Sequence, residues 1–160
     1  MRPMRRQDRA VTDPEKIQAV IDGCEICRLG FCDQGKPYVV PVNFGHAVEN
    51  GQHVFYFHGA AEGRKVDLIR QTGRACIEME EGYQLKPAEQ ACRYTAAFRS
   101  VIAEGPAVIL ETAEEKRRGL AAILRQSTGK ADWEFPDAAV DTVCVCKPVS
   151  YTHLRAHETK

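Results

Sequence analysis

Residues 54–70 read VFYFHGAAEGRKVDLIR. Val54 to Phe57 form an apolar and aromatic run of strand character, and the run beginning at Val66 has the mixed apolar and charged composition of an amphipathic helix. Between them lie His58, Gly59, two alanines, Gly63, Arg64 and Lys65. A strand that becomes a helix through glycines makes a distinct chemical place. The start of a helix presents free main-chain N–H groups and the positive end of its dipole, and glycine lets a ligand touch the main chain. Arg64 and Lys65 would add fixed cations. Two readings stay open on the pattern alone: a phosphate site, or a helix that starts with small residues and carries its charges on a solvated face.

The flanking segments set this junction in a mainly β framework. "EICRLGFCD" and "KPYVVPVNF" alternate around Gln-Gly, and "HAVENGQHVFYFH" turns at Asn50-Gly51, so four antiparallel strands are expected. "TDPEKIQAVIDGC" predicts a helix with Asp13 as a cap, Pro14 at its first position, a Thr12–Glu15 capping box and Gly23 at its end. Its buried face would hold Ile17, Val20 and Ile21. "RACIEME" reads as a fifth strand, "EGYQLKPAEQA" as an irregular connection, and "RYTAAFRSVIAEGPAVILE" as two strands interrupted at Gly105-Pro106. A capping box of Thr112 and Glu115 opens a helix that buries Leu120, Ile123 and Leu124, and "AVDTVCVCKPV" closes the domain as a strand. Many short strands with two or three helices indicate an antiparallel β-barrel with flanking helices, one domain over residues 1–147. The remainder, 148–160, lacks alternation, reads as disordered, resembles a cloning-derived or mis-assembled tail, and gives His153 and His157 no role.

Composition excludes several classes of function. The 160 residues carry 22 Lys plus Arg and 22 Asp plus Glu, so no net field draws the chain to nucleic acid. The basic "MRPMRRQDR" has no apolar run behind it, so neither a signal peptide nor a membrane anchor is expected, and the cytoplasm is the expected compartment. Seven cysteines in that setting are expected as thiols. Cys24-x-x-Cys27 and Cys144-x-Cys146 do not have the spacing of a zinc site, and no metal is expected.

"VVPVNFG", "FYFHGAAEGRKVDLIR" and "FRSVIAEGPA" together resemble, in order and spacing, the pyridoxamine-phosphate-oxidase-like flavoproteins, and within them the nitroimidazole-resistance branch. The resemblance covers about residues 1–147. It implies an FMN-binding split β-barrel, homodimeric, with the cofactor in a cleft at the subunit interface. It also implies that Lys65 binds the phosphate with Arg64 as helper and Gly59 and Gly63 giving backbone access. Pro41, Val42 and Asn43 would be the strand edge along the flavin ring, and Arg99 with Ser100 the neighbouring strand's contribution. His58 would face flavin and substrate, either as a catalytic proton donor or as a pocket-shaping residue. The implied activity is reduction of a small nitroaromatic substrate. Its electrons would come from a transient donor such as NADH or NADPH, since no Gly-x-Gly-x-x-Gly fingerprint is present. The alternatives are a non-catalytic holder of FMN, haem or a deazaflavin, and pyridoxamine-phosphate oxidase activity itself.

Overall fold

The computed structural model describes residues 6–150 and 153–159. Residues 1–5 of the basic stub lie outside them, as do 151, 152 and 160. A short strand β1 (Ala10–Val11) precedes helix α1 (Pro14–Asp22), whose first turn is capped by the Asp13 carboxylate accepting from the Glu15 N–H at 3.0 Å. The expected Thr12–Glu15 box does not form. With Asp13 as the cap, Glu15 stands one position too early to reach back. Ile17, Val20 and Ile21 are the buried face, as expected.

Two hairpins follow, β2 (Ile26–Asp33) with β3 (Lys36–Asn43), and β4 (Gly45–Glu49) with β5 (Gln52–Gly59). Their tips, Gln34-Gly35 and Asn50-Gly51, have φ of 51° and 82°, and of 51° and 77°. Positive φ at both central residues is the type I′ geometry whose twist matches the strands it joins. Helix α2 (Arg64–Thr72) ends on Gly73 in the left-handed region, and β6 (Arg74–Lys86) turns the chain back.

Two expectations are corrected here. The segment after Glu80 is only partly an irregular connection: past a bulge between Glu81 and Gln84, β6 continues to Lys86 against the start of β7 (Thr95–Ile109), and only the residues beyond Lys86 are irregular. β7 is one strand and not two. Ala107 N–H donates to Gly73 O on the β6 side, so by alternation the Pro106 nitrogen faces the opposite side. There β7 changes partner, from β9 (His153–Thr159) up to Glu104 to β8 (Cys144–Ser150) from Ala107. Proline lacks an N–H where no strand asks for one.

The capping box of Thr112 and Glu115 is present at the start of α3 (Ala113–Thr128). Ile123 is buried, while Leu120 and Leu124 are half-buried. A short α4 (Asp137–Thr142) takes residues read as strand, so β8 begins only at Cys144. The tail read as disordered carries β9, which pairs antiparallel with β7 and β1. Main-chain pairing along an open strand edge needs no side-chain alternation, which is why the sequence pattern did not announce it.

The strand order β3-β2-β6-β7-β8-β5-β4 is antiparallel throughout and splits at β7, giving a split barrel with helices outside it. Strand β5 is buried on both faces. Phe55 and Phe57 belong to the larger core with α1 and α2, and Val54 and Tyr56 to a smaller one under α3. The buried Tyr56 hydroxyl donates to Glu49, whose other oxygen accepts from Lys147 Nζ at 2.6 Å. Among the described residues no helix is long and apolar enough to cross a membrane.

Helix α3 lies directly on the β4 main chain. A Cβ on Gly45 would overlap the backbone of Ala122 and Ile123, and one on Gly119 would come within 2.7 Å of Val145 and 2.9 Å of Tyr56. Backbone cannot swing aside as a side-chain tip can. Gly45→Ala is therefore expected to lower unfolding free energy by about 2 kcal/mol or more. Urea titration of parent and variant measures this, and an unchanged midpoint would show that α3 can lift away freely.

Candidate functional site

The end of β5 and the start of α2 come together as the motif predicted. Gly59 pairs with Cys144, and a Cβ at Gly59 would meet Lys65 Nζ at 3.2 Å, so the ammonium rests against bare backbone. Gly63, at φ 133°, precedes α2, and no side chain caps the helix. Its carbonyl accepts from Val66 and Asp67 N–H, leaving the first N–H groups of the helix without intrahelical partners. Lys65 has no ion-pair partner among the described residues. An unpaired cation beside uncapped N–H groups and a glycine is a fit for an anion such as phosphate.

Arg64 is differently placed. Its Nε and Nη2 both donate to Asp33 Oδ2, at 3.0 and 2.8 Å, and its guanidinium lies 4.4 Å from the centre of the Tyr38 ring. It ties the start of α2 to the tip of the β2–β3 hairpin. A further clamp on the preceding loop is Arg70, which donates to the Ala61 carbonyl at 3.2 Å. His58 is exposed and makes no side-chain hydrogen bond among the described residues, so no carbonyl fixes its ring.

The remaining predicted residues sit elsewhere. Pro41 pairs with Arg28, Arg28 with Glu78 and Glu78 with Ile102, which defines one row across the outward face of the sheet. Asn43 and Ser100 each stand two residues further along, on that same face by alternation. Val42 is half-buried and packs against the core, so its side chain is turned away from the outward face. An apolar groove of about 480 Å³ on this side of the sheet is lined by Phe31, Pro37, Val39, Ala75 and Cys76 among others.

Arg99 turns inward. It forms an ion pair with Glu81, Nη2 to Oε1 2.6 Å, although that oxygen accepts no well-aligned hydrogen bond. The Glu81 carboxylate fills the space that a side chain at Gly23 would need. Arg99 precedes Ile109 by ten residues on β7, roughly 33 Å for a straight strand. Ile109 is the residue paired with Cys146 beside the β5–α2 junction. Arg99 and Ser100 thus lie far along the sheet from the junction, whereas β3 runs beside it: Asn43 stands two residues before Gly45, which pairs with Tyr56 on the strand that carries His58. Asp33, Tyr38 and Glu81 were not foreseen. A lone Asp in a turn and a Glu in a run of acidic residues carry no sign of the arginine they hold.

Cys144 and Cys146 point to one face, as alternation required, with their sulfurs 3.8 Å apart. Burial holds the Cys146 thiol well above its ordinary pKa, with smaller contributions from its neighbour. Among the described residues no three His, Cys, Asp or Glu side chains converge as metal ligands.

The Arg64–Asp33 contact is mostly solvent-exposed on the arginine side. Asp33→Asn is expected to change unfolding free energy by no more than about 1 kcal/mol. Thermal melts of the two proteins check this; a larger loss would make the pair part of the fold's support and not a surface clasp.

Comparison with known proteins places the whole domain. The pyridoxamine 5'-phosphate oxidase family profile matches residues 13–153. A proposed 5-nitroimidazole antibiotic resistance protein from Bacteroides thetaiotaomicron is 32% identical, with 92% of this chain and 84% of that one covered and a TM-score of 0.77. A flavocytochrome from Azotobacter vinelandii shares the fold at 20% identity and a TM-score of 0.79, covering 99% of this chain and 72% of that one. A FAD and heme binding protein from Mycobacterium smegmatis does so at 13% and 0.81, covering 95% and 74%. An uncharacterized Rhizobium meliloti protein is 26% identical over 98 residues, 52% of this chain, and the match spans only 62% of that relative's length. By its sequence over 13–153 and by its fold, this chain belongs to the pyridoxamine 5'-phosphate oxidase family.

Proposed function

We propose that the chain binds FMN and serves as an oxidoreductase for small nitroaromatic compounds of the 5-nitroimidazole type. The observation that carries the cofactor reading is the Lys65 ammonium resting on Gly59 beside the uncapped start of α2. The similarity to the proposed nitroimidazole resistance protein supports the substrate class. Lys65 would hold the phosphate, with the first N–H groups of α2 completing its coordination. Arg64, engaged by Asp33, would set the helix start in place, and would reach the phosphate only by leaving that partner. Bound FMN would supply the electron-transfer chemistry of the reduction. His58 is free to hydrogen-bond a substrate oxygen or hand it a proton.

The outward-facing Pro41, Asn43 and Ser100 would border the ring, together with the apolar groove beside them. A homodimer is part of the proposal, because a second copy is the simplest way to bring Ser100 to the β5–α2 junction. Electrons would come from NADH or NADPH docking transiently, in the cytoplasm.

Gel filtration of the FMN-loaded protein is the first test, read at flavin wavelengths. Co-elution supports the reading, and a colourless protein peak overturns it. Lys65→Ala is then expected to weaken FMN binding by about 1.5–3 kcal/mol, roughly 10- to 150-fold, while leaving riboflavin binding unchanged. Equal loss for both ligands would remove the phosphate assignment. NADH or NADPH oxidation that rises on adding metronidazole, and falls in His58→Ala, is the expected sign of turnover. Tight FMN binding without it favours a cofactor-holding protein.

A further inference from the structure

Away from that junction, a chain of polar groups joins three elements. His46, on β4, is only 4% exposed. Its Nε2 lies 2.9 Å from His53 Nδ1 on β5, and its Nδ1 lies 3.3 Å from Gln18 Nε2 on α1. Gln18 Nε2 also donates to Asp22 Oδ1 at 2.6 Å. The two imidazole rings lie with centres 5.1 Å apart and planes within 26° of each other, and His46 meets Phe55 at 5.2 Å. From α3, Arg125 donates to the His46 carbonyl at 2.7 Å, and Gln126 donates to the Ile21 and Cys24 carbonyls at the end of α1. A cavity of about 420 Å³ lies among Gln18, Asp22, His46, Arg125 and Gln126.

The donor and acceptor roles in this chain are determined from one end. Asp22 is a carboxylate and only accepts, so Gln18 presents its NH2 group to it and, through the same nitrogen, to His46. His46 Nδ1 is then a bare acceptor, its proton is on Nε2, and His53 Nδ1 accepts that proton's hydrogen bond. All contacts are satisfied with both rings neutral. A further proton has no harmless position. On His46 Nδ1 it faces the Gln18 NH2, donor against donor. On His53 Nδ1 it faces the His46 N–H, unless that proton moves to Nδ1 and recreates the first conflict. Rotating the Gln18 amide relieves His46 only by giving up the bond to Asp22, whose exposed carboxylate then turns to water.

We propose that Asp22, Gln18, His46 and His53 form a proton-operated clasp, which holds α1 and the last turns of α3 on the β4–β5 hairpin at neutral pH and releases them in acid. The groups facing the pair are Asp22 from α1, Arg125 from α3 and the partner imidazole from the other strand. Burial is the main force holding His46 neutral, with His53 and Arg125 repelling an added proton; its pKa falls to about 4, and burial lowers that of His53 as well. A folded-state pKa below the unfolded value of 6.5 means that the open state binds more protons. The clasp's full contribution is therefore present above about pH 6.5 and is lost as pH falls toward 4.

Hydrogen–deuterium exchange of the full chain, followed by mass spectrometry at pH 7.5, 5.5 and 4.5 and corrected for intrinsic exchange, tests this without any flavin. Protection of residues 14–22 and of the end of α3 is expected to fall about tenfold at pH 5.5 and on the order of a hundredfold at pH 4.5, with β2 and β6 changing far less. Gln18→Glu sets an acceptor opposite His46 Nδ1 and is expected to abolish that selective loss. Nitrogen-15 spectra of the imidazoles at pH 7.5 should show His46 protonated on Nε2 alone. Uniform protection across this range, a parental profile in Gln18→Glu, or a proton on His46 Nδ1 at neutral pH would each overturn the clasp.

Discussion

The architecture depends on burying β5 on both faces. Val54, Phe55, Tyr56 and Phe57 are consecutive, and each is about 1% exposed. Alternation sends them to opposite sides, so one layer of structure cannot cover them. Covering each such side chain is worth roughly 1.5–3 kcal/mol, which makes two separate cores worth keeping. The first is closed by α1, α2 and the inward face of β2, β6 and β7. The second needs α3 close against β4 and β5, a distance reached because Gly45 and Gly119 leave no side chain in the way. The only polar end that this burial strands, the Tyr56 hydroxyl, is taken up by Glu49 and, behind it, Lys147.

The strand's exit inherits that rigidity. Phe57 is anchored in the larger core while the next two residues leave it, so Gly59 and the turn into α2 start from a fixed point. Here and at the far end of β7 the cations have been sorted by their partners. Arg64 has Asp33 and an aromatic face, Arg70 has a loop carbonyl and Asp67, and Arg99 has Glu81. Lys65 keeps its charge uncommitted. Paired arginines do positional work at small energetic gain, whereas an unpaired ammonium on bare backbone retains most of its attraction for an incoming anion.

Local chemistry was the part of this fold that could be read directly. Asn50-Gly51 and Gln34-Gly35 declared their turns because few residues tolerate positive φ, and Thr112 with Glu115 declared a helix start because both ends of the box are in one short segment. Residues 81–86 were misread because glycine and polar residues resemble a loop, while their pairing is with Thr95 to Ala97 on the main chain, which leaves no mark in composition. Gly105-Pro106 looked like a break because the location of the missing N–H, between two successive partners of β7, is a tertiary fact. At the site, the glycines and Lys65 were legible as one motif, and the resemblance to a family supplied residues on β3 and β7. The carboxylates that hold Arg64 and Arg99 are 31 and 18 residues from them in sequence, beyond any local rule.

The same doubly buried strand sets an order of events for a chain emerging from the ribosome. β4 pairs with β5 across a two-residue turn, but the other neighbour, β8, brings Val145 to His58 from 87 residues further on. Contacts that close so long a loop form late, and until they do a strand of four consecutive large apolar residues has an unfilled side. The hairpin can assemble early, yet its final shelter waits for a segment synthesised 87 residues later. Nascent chains of this fold thus pass through a long window in which this strongly apolar strand is half-covered.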